Sequence, residues 1–372
     1  MANQPLPLDK HNQQRYLRQI QLPGFGEAGQ QKLCEARVLI VGVGGLGCAV
    51  AQYLVAAGVG NITLVDGDDI ALSNLQRQVL FDEASIGAKK ADVAKQKLQR
   101  LNSQIHITAI DRHLDLPLAE TLIASADLIL DCTDNFTTRY LINDVAHFYK
   151  KNWVYASVLG FAGQVASFNT TLSCFRCLYP KVSEVPNCNQ AGVLGVLPGI
   201  VGNLQALMAI QMLCCEQTCN QLVRFSGNDY SLQTISLARS QQCLICSGQQ
   251  DYSQLYSHRS DESAQPRTIT ASQIKTFIEQ HPNAKLADIR SPEEYQEHNA
   301  GGANIPLPEF ESWFSGQVSQ PLILLCQTGK RCQWLLGRLP ASSTASPPVV
   351  YLEGGIDALT HPTHYLHLLK AL

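Results

Sequence analysis

A glycine-rich turn between a short apolar run and a helical segment constrains the fold of this chain more than any other feature. The run RVLIVGVGGLG spans residues 37–47 and reads as a buried strand, a turn and the start of a helix. Missing side chains let a phosphate approach the backbone, and the helix start offers N–H donors. The turn therefore predicts a nucleotide site. Its glycines are Gly42, Gly44, Gly45 and Gly47.

Strand-like and helix-like segments alternate through residues 37–157, which predicts repeated βαβ units and a parallel sheet with helices on both faces. Residues 249–267 are polar and lack a hydrophobic period, so we interpret them as a linker. A second, shorter alternation follows. We therefore expect an α/β protein with a Rossmann-like domain over residues 1–248 and a smaller α/β domain over residues 268–372.

Composition argues against two classes of partner. The formal net charge is −3 over 372 residues, so we expect no bulk attraction to nucleic acid or membrane surfaces. Residues 193–213 carry no charge and are long enough to cross a bilayer, but they contain Pro198, Gly202 and Gln205. We interpret them as a buried loop and helix. The first thirty residues lack the apolar run of a secretory signal, so a cytoplasmic location is expected.

Charged residues follow the glycine-rich turn at several predicted strand ends. Asp66 ends the next strand, where an acidic residue binds ribose hydroxyls in dinucleotide folds. Asp68, Arg77, Lys90 and Asp134 come after it along the chain. Cations and carboxylates beside a phosphate loop suit nucleotidyl transfer, in which charge builds up and Mg²⁺ must be held. An NAD-dependent oxidoreductase, the alternative that the turn alone allows, leaves this set unexplained.

Five segments carry a family resemblance: RYLRQ, ARVLIVGVGGLGC, SNLQRQVLF, DCTDNFTTRYLIND and CNQAGVLGVLPGIVGNLQA. Over residues 11–248 the chain closely resembles the MoeB/ThiF family, the bacterial relatives of ubiquitin-activating E1 enzymes. The resemblance implies a Rossmann-like adenylation fold and a homodimer that binds Mg-ATP and the Gly-Gly tail of a ubiquitin-like sulfur carrier. It also implies that the carrier's carboxylate attacks the α-phosphate of ATP, which gives an acyl-adenylate and pyrophosphate.

The resemblance implies roles for individual residues around the nucleotide. Arg77 and Lys90 neutralise the triphosphate, Asp134 holds Mg²⁺, and Asp66 binds the ribose. These residue types suit the chemistry, because a carboxylate is already nucleophilic at neutral pH and needs alignment and charge neutralisation rather than a base. Further residues expected at the nucleotide, besides the four glycines, are Asp68, Asn74, Gln78 and Asn135.

Two more residues match the family outside this set. Arg18, in the RYLRQ segment, matches the arginine that reaches into the neighbouring subunit's site. Cys188 matches a cysteine near the adenylate, which in ThiF-like members joins the carrier through a sulfur bond. From the residues alone an ordinary loop thiol is the favoured interpretation of Cys188, so the covalent role of Cys188 is left open.

Four of the thirteen cysteines have the spacing of metal ligands. Cys174 and Cys177 form one CxxC pair, and Cys243 and Cys246 form another. Together they supply the four thiolates of a tetrahedral structural zinc site. In a reducing compartment metal ligation outranks disulfides. The MoeB/ThiF resemblance implies the same, a zinc knuckle that lies away from the chemistry.

A thiol at a strand-to-helix turn marks the second domain. The strand PLILLC ends at Cys326, where backbone N–H groups and two cations, Lys330 and Arg331, favour the thiolate. With LADIRSPEEYQEHNAGGANIPL and YLEGGIDAL, this loop resembles the rhodanese family over about residues 268–360. Its four residues between Cys326 and Arg331, one fewer than in phosphatases of similar fold, suit a persulfide. We interpret Cys332 as incidental, and a domain that only binds is the alternative.

The predicted function is ATP-dependent adenylation of a MoaD-like or ThiS-like carrier, with sulfur transfer from a Cys326 persulfide to form the thiocarboxylate. The expected partners are that carrier and a cysteine desulfurase or a small-molecule sulfur donor. The rhodanese fusion favours molybdopterin biosynthesis, whereas the short interval from Cys177 to Cys188 favours thiamine biosynthesis. A carrier-binding scaffold with an inactive ATP site is a further hypothesis, which predicts binding without pyrophosphate exchange.

Overall fold

The chain forms two compact units, Met1–His258 and Arg259–Leu372. The computed structural model describes residues 9–169, 172–180, 192–214, 220–248, 252–256, 268–314, 320–336 and 348–359. The division between the units falls inside the segment that the sequence predicts to be a linker. The predicted limits of the two domains stay a prediction.

The first unit is built on a mixed sheet of eight strands, in the order β3-β2-β1-β4-β5-β6-β7-β8. Strands β1 to β5 pair in parallel, as the repeated βαβ pattern predicts, and β6 to β8 extend the sheet in antiparallel pairs. The strands are β1 (Arg37–Val41), β2 (Asn61–Val65), β3 (His106–Ile110), β4 (Leu128–Asp131), β5 (Asn152–Leu159), β6 (Ala162–Phe168), β7 (Gln221–Ser226) and β8 (Leu232–Ser236).

Helices cover both faces of this sheet, because successive side chains of a strand point to opposite faces. Val38 and Ile40 of β1 join one apolar core. Leu39 and Val41 join the other. The helices are α1 (Lys10–Arg15), α2 (Leu17–Ile20), α3 (Gly26–Glu35), α4 (Gly45–Ala57), α5 (Lys90–Leu101), α6 (Leu116–Ser125), α7 (Phe136–Phe148), α8 (Phe175–Leu178), α9 (Val196–Cys214) and α10 (Tyr252–Tyr256).

Helix α9 is the long uncharged segment that the sequence analysis singled out. Within the described part of the chain it is the one helix whose length and apolar composition would allow it to cross a membrane. Leu197 and Val201 lie in the same core as α4. The fully buried Gln205 amide donates to the carbonyl oxygens of Asp131 and Val154 at 2.8 and 2.9 Å. Helix α9 is therefore anchored to the last residue of β4 and to β5.

Part of the segment predicted to be a linker is packed on the first unit. Helix α10 carries two buried tyrosines, Tyr252 and Tyr256. The Tyr252 hydroxyl donates to Glu120 Oε1 at 2.5 Å, and the Tyr256 hydroxyl donates to Asp144 Oδ2 at 3.0 Å. Both tyrosine side chains bury apolar surface and satisfy their hydroxyls, which explains how α10 packs on the first unit without a hydrophobic period.

The second unit contains a parallel sheet of five strands, in the order β11-β10-β12-β13-β9. Its central strand, β12, contributes side chains to apolar cores on both faces. The strands are β9 (Thr268–Ile269), β10 (Lys285–Asp288), β11 (Ala303–Asn304), β12 (Leu322–Leu325) and β13 (Val349–Leu352). The helices are α11 (Ile274–Gln280), α12 (Pro292–Glu297), α13 (Leu307–Phe314) and α14 (Lys330–Leu336).

Candidate functional site

The glycine-rich turn has steric reasons for its glycines. Gly42 has a φ of +90°, and a Cβ at this position would lie 2.8 Å from the carbonyl oxygen of Cys132. A Cβ at Gly47 would lie 2.0 Å from the carbonyl oxygen of Gly42. Helix α4 begins at Gly45, and its N-cap residue Gly44 has no side chain to cap the first turn. The first N–H groups of this helix are therefore available to an anionic ligand.

The Asp66 carboxylate holds this turn in place. Its Oδ2 accepts a hydrogen bond from the Val43 N–H at 2.7 Å, and its Oδ1 accepts one from the Asp68 N–H at 2.8 Å. Burial raises the pKa of the Asp66 carboxyl, and Lys90 and these two donors oppose the shift. Each oxygen keeps a second lone pair for a ribose hydroxyl. Asp66 therefore has a second role, which residue spacing does not reveal: it fixes the backbone of the glycine-rich turn.

Two cations lie near the turn. Lys90 begins α5, is 5% exposed, and places its Nζ 3.0 Å from Asp68 Oδ2. The Arg77 carbonyl oxygen lies 3.2 Å from the position that a Cβ of Gly45 would take. The Arg77 guanidinium donates to the Ser73 carbonyl at 2.9 Å, and no described carboxylate forms an ion pair with it. Its positive charge is therefore available to a phosphate.

Gln78 brings a buried amide to the same turn. It is 3% exposed, and its Oε1 accepts no hydrogen bond from the described residues. Its Nε2 lies 3.8 Å from the position that a Cβ of Gly44 would take. A buried acceptor without a donor costs free energy, so a ligand or water that donates to Gln78 is favoured here. Asn74, one turn earlier, accepts from the Ala71 N–H at 3.2 Å.

The two aspartates of DCTD have different environments. Asp131, at the end of β4, is fully buried, and its Oδ1 accepts from the Thr133 N–H at 3.0 Å and the Thr133 hydroxyl at 2.6 Å. Burial raises the pKa of Asp131 to about 6, and Arg139, with Nε 3.4 Å from Oδ2, opposes the shift. Asp134 is exposed. Of these two aspartates, Asp134 is therefore the one whose carboxylate can bind a cation at the C-terminal end of β4.

Asn135 has a structural role in addition to the predicted nucleotide contact. It is the N-cap of α7, and its Oδ1 accepts from the Thr138 N–H at 2.8 Å. An asparagine at this position satisfies one of the unpaired N–H groups of the helix start. The amide nitrogen of Asn135 is the part of the side chain that remains for a ligand.

Arg18 lies far from the turn of its own chain. Tyr16 packs on Gly58 at the C-terminal end of α4, and Gln19 donates to the Ala57 carbonyl at 3.0 Å. At 1.5 Å per residue, α4 separates this end from the turn by about 20 Å. Arg18 itself is exposed. A role for Arg18 at a nucleotide site therefore requires the site of another subunit. The other catalytic candidate, Cys188, lies outside the described residues.

The four cysteines of the two CxxC pairs converge. Sulfur–sulfur distances are 3.8 Å for Cys174–Cys177, 3.5 Å for Cys174–Cys243 and 3.6 Å for Cys177–Cys246. A tetrahedral zinc with Zn–S bonds of about 2.3 Å needs sulfurs about 3.8 Å apart. The Ser240 N–H also donates to Cys177 Sγ at 3.4 Å. The cluster fits a structural zinc that would join α8 to the segment after β8.

We expect about one zinc per chain in the purified protein, and a Cys243→Ser protein should melt at least about 5 °C lower, because loss of a ligand removes metal-binding energy from folding. Elemental analysis and thermal unfolding measure both quantities. The matched control is Cys34→Ser, a half-buried thiol outside the cluster. A stable, active preparation without metal contradicts the prediction.

Cys326 lies directly after β12 and is 1% exposed. The Cys332 thiol and the backbone N–H groups of Cys332, Arg331 and Thr328 favour the anionic form of its sulfur as hydrogen-bond donors. These donors, the Cys332 thiol first, lower the pKa of the Cys326 thiol to about 6 against the effect of burial. The thiolate, which is the nucleophilic form, therefore predominates at neutral pH.

Arg331, one of the two cations that were expected to act on Cys326, also forms an ion pair with a carboxylate. The Arg331 guanidinium donates to both oxygens of Glu294 at 2.8 and 2.7 Å, and the negative charge of Cys326 is among the causes that raise the pKa of Arg331. The Gln327 side chain accepts a hydrogen bond from Arg290 Nη1 at 2.9 Å. The side chain of Lys330 lies outside the described residues. The interpretation of Cys332 as incidental stays a prediction.

Two protein-family models match the chain. The ThiF family model matches residues 16–245, and the rhodanese-like domain model matches residues 270–361. The chain belongs to the ThiF family. This ThiF-family protein thus carries a rhodanese-like domain behind its ThiF domain, in agreement with the two resemblances in the sequence.

Relatives share one or both parts of this ThiF-family protein. It is 35% identical to the adenylyltransferase and sulfurtransferase MOCS3 of Drosophila ananassae over 379 residues, 93% of this chain and 83% of the relative. It is 42% identical to the sulfur carrier protein ThiS adenylyltransferase of Escherichia coli (strain K12) over 238 residues, 63% of this chain and 95% of the relative. These matches confirm the predicted enzyme class, an adenylyltransferase with a sulfurtransferase domain.

Solved structures support the fold. The crystal structure of E. coli MccB with succinimide has a TM-score of 0.56 and 24% identity to this ThiF-family protein, and covers 62% of this chain and 73% of that one. At this identity the likeness shows the fold alone. The predicted α/β architecture is therefore confirmed, whereas the roles of individual residues stay predictions.

Proposed function

We propose that this protein adenylates the C-terminal glycine of a ubiquitin-like sulfur carrier and that its rhodanese-like domain supplies sulfur for the thiocarboxylate. The observation that carries the proposal is the convergence of Arg77, Lys90 and the segment of Asp134 on the glycine-rich turn. A hydride-transfer enzyme keeps the pyrophosphate of its cofactor intact and does not need such a set. The names of the relatives, which include a carrier adenylyltransferase, support the same assignment.

In the proposed first reaction, a carboxylate oxygen of the carrier attacks the α-phosphate of ATP. The bond from that phosphorus to the bridging oxygen breaks, and pyrophosphate leaves with the electron pair. The first N–H groups of α4 bind the phosphates, and Arg77 and Lys90 offset the negative charge that moves onto the leaving group. Asp134 fits as an oxygen ligand of Mg²⁺, which supplies further charge neutralisation when bound. Asp66 binds the ribose, and Gln78 Oε1 accepts from the nucleotide.

In the proposed second reaction, the Cys326 thiolate takes a sulfur atom from a donor and becomes a persulfide. The terminal sulfur attacks the acyl-adenylate, AMP leaves, and an acyl disulfide forms. A thiol reductant then cleaves the sulfur–sulfur bond and releases the thiocarboxylate. Each attack needs an anionic sulfur, which the hydrogen bonds around Cys326 favour. A cysteine desulfurase or a small-molecule persulfide donor is the proposed source, in the cytoplasm.

We infer a MoaD-like carrier, and hence molybdopterin biosynthesis, because the relative matched over 93% of this chain combines the same two activities in its name. The test is ATP–pyrophosphate exchange with MoaD-like and ThiS-like carriers added separately. Stronger stimulation by the MoaD-like carrier is expected. Stimulation by the ThiS-like carrier alone would move the protein to thiamine biosynthesis, and stimulation by neither would overturn the adenylation proposal.

The position of Arg18 predicts complementation between subunits of a homodimer. Neither Arg18→Ala nor Asp134→Ala protein should catalyse exchange alone. A mixture of the two should regain roughly a quarter of wild-type activity, because half of the dimers are hybrids and each hybrid has one intact site. Arg15→Ala, a change in the same exposed arm, is the control and should stay active. A protein that is monomeric at assay concentration, or a mixture that stays inactive, contradicts the model of a shared site.

A further inference from the structure

The loop after β3 lies beside the residue that is proposed to bind the ribose. Strand β3 pairs with β2, and the Asp66 N–H donates to the Ile110 carbonyl oxygen at 3.2 Å. Beyond this bond the chain passes the end of β2, where a Cβ at Gly67 would lie 2.8 Å from the backbone nitrogen of His113. A side chain at Gly67 would prevent this approach. The loop is therefore held close to Asp66.

The imidazole of His113 is the ring that this loop brings to the end of β2. The two charged residues before it have partners, since Asp111 is paired with Lys89 at 3.5 Å and the Arg112 guanidinium donates to the N-cap carboxylate of α6. The His113 side chain is 75% exposed, and its Nε2 lies 3.9 Å from Asp68 Oδ1. An aromatic ring thus lies beside the acidic turn with much of its surface open to a ligand.

The order of the strands gives the direction of a bound nucleotide. In an open α/β sheet, ligands bind outside the carboxyl ends of the strands. The glycine-rich turn follows β1, Asp66 follows β2 and His113 follows β3, and these strands are neighbours in the order β3-β2-β1. The ribose joins the phosphates of a nucleotide to its base. Phosphates at β1 and a ribose at β2 therefore direct the base to the end of β3, about 4.8 Å further along the sheet.

We propose that His113 contacts the nucleobase of the bound nucleotide, with the imidazole ring packed against the face of adenine. The proposal deepens the proposed function, since it rests on ATP as the nucleotide and on Asp66 as the ribose-binding residue. Packing of a flat base on an aromatic side chain buries apolar surface and adds stacking energy. Because the base takes no part in the transfer of the adenylyl group, His113 acts on the binding of ATP and not on the chemical step.

The test measures two quantities on the full chain: the affinity for Mg-ATP without a carrier, by isothermal titration calorimetry, and carrier-dependent ATP–pyrophosphate exchange. His113→Ala should weaken ATP binding and raise the KM for ATP roughly 10-fold, while kcat stays within about 2-fold of wild type. His113→Phe, which keeps a flat ring but cannot pair with Asp68, should bind ATP within about 3-fold of wild type. Tripolyphosphate, which lacks the ribose and the base, should bind equally to the wild type and to His113→Ala.

The matched control is His106→Ala, an exposed histidine at the opposite end of β3, which should change neither ATP affinity nor exchange. Thermal unfolding checks that each variant is folded. An unchanged ATP affinity in folded His113→Ala overturns the proposal. So does an equal loss in His113→Phe, because the histidine would then act through Asp68. An equal loss of tripolyphosphate affinity also overturns it, because the phosphate site would then be the part affected.

The two proposals fail in different ways. If no carrier stimulates exchange, but His113→Ala still binds ATP more weakly and tripolyphosphate normally, the proposed function fails while the contact with the base stands. If a carrier stimulates exchange and His113→Ala has the wild-type KM for ATP, the contact fails while the proposed function stands.

Discussion

Replacing Arg77 with alanine is expected to reduce carrier-dependent ATP–pyrophosphate exchange at least about 100-fold, the scale of one lost electrostatic stabiliser. Asp134→Ala and Lys90→Ala should have comparable effects. Arg77 is the most informative of the three, because its guanidinium contacts only the Ser73 carbonyl among the described residues, and its loss removes no ion pair from the fold. Exchange at saturating ATP, together with the KM for ATP, measures the effect.

The matched control for the cations is Lys89→Ala. Lys89 adjoins Lys90 in the chain, but its side chain is half exposed and pairs with Asp69 at 3.0 Å and Asp111 at 3.5 Å. Its loss should leave exchange within about 2-fold of wild type, as expected for a surface ion pair. Thermal unfolding separates chemistry from folding for Lys90, which is buried. A folded Asp134→Ala protein with near-normal pyrophosphate exchange would contradict the assignment of Asp134 to the adenylation site.

The second large effect concerns Cys326. Cys326→Ser should lower thiosulfate:cyanide sulfurtransferase activity to background, because a hydroxyl at neutral pH is neither anionic nor able to form a persulfide. The wild-type rate should rise with pH through about 6, where the hydrogen bonds place the pKa of the Cys326 thiol. Below that pH the thiol is protonated and the rate should fall. Mass spectrometry after incubation with thiosulfate should find one added sulfur atom on Cys326.

The same variant separates the two chemistries of the protein. Cys326→Ser should retain pyrophosphate exchange, because the residues proposed for adenylation belong to the other unit. It should make carrier thiocarboxylate only when sulfide is added. If several donors leave no sulfur on wild-type Cys326, the rhodanese-like domain is a binding module. If Cys326→Ser makes thiocarboxylate normally, sulfur reaches the carrier by another route.

The sequence predicts the elements that depend on local patterns. The position of the glycine-rich turn could be predicted because glycines at this spacing are typical of a phosphate-binding turn. The structure gives the reason: a Cβ at Gly42 or Gly47 would clash with the backbone. The four cysteines could be grouped because CxxC pairs suit a tetrahedral metal. The antiparallel strands β6 to β8 have recognisable runs, but their order in the sheet depends on pairing between distant segments, which periodicity does not contain.

Sequence by itself determined the family, the two-part α/β architecture and the residue types that carry the chemistry, because these follow from spacing over a few turns of chain. Tertiary structure decided the use of individual groups. It placed Asp131 in the core and Asp134 at the surface, and it paired Arg331 with Glu294 across 37 residues. The physical reason is that a charged or polar group acts through the partners and the burial that packing gives it, and those partners come from segments far apart in sequence.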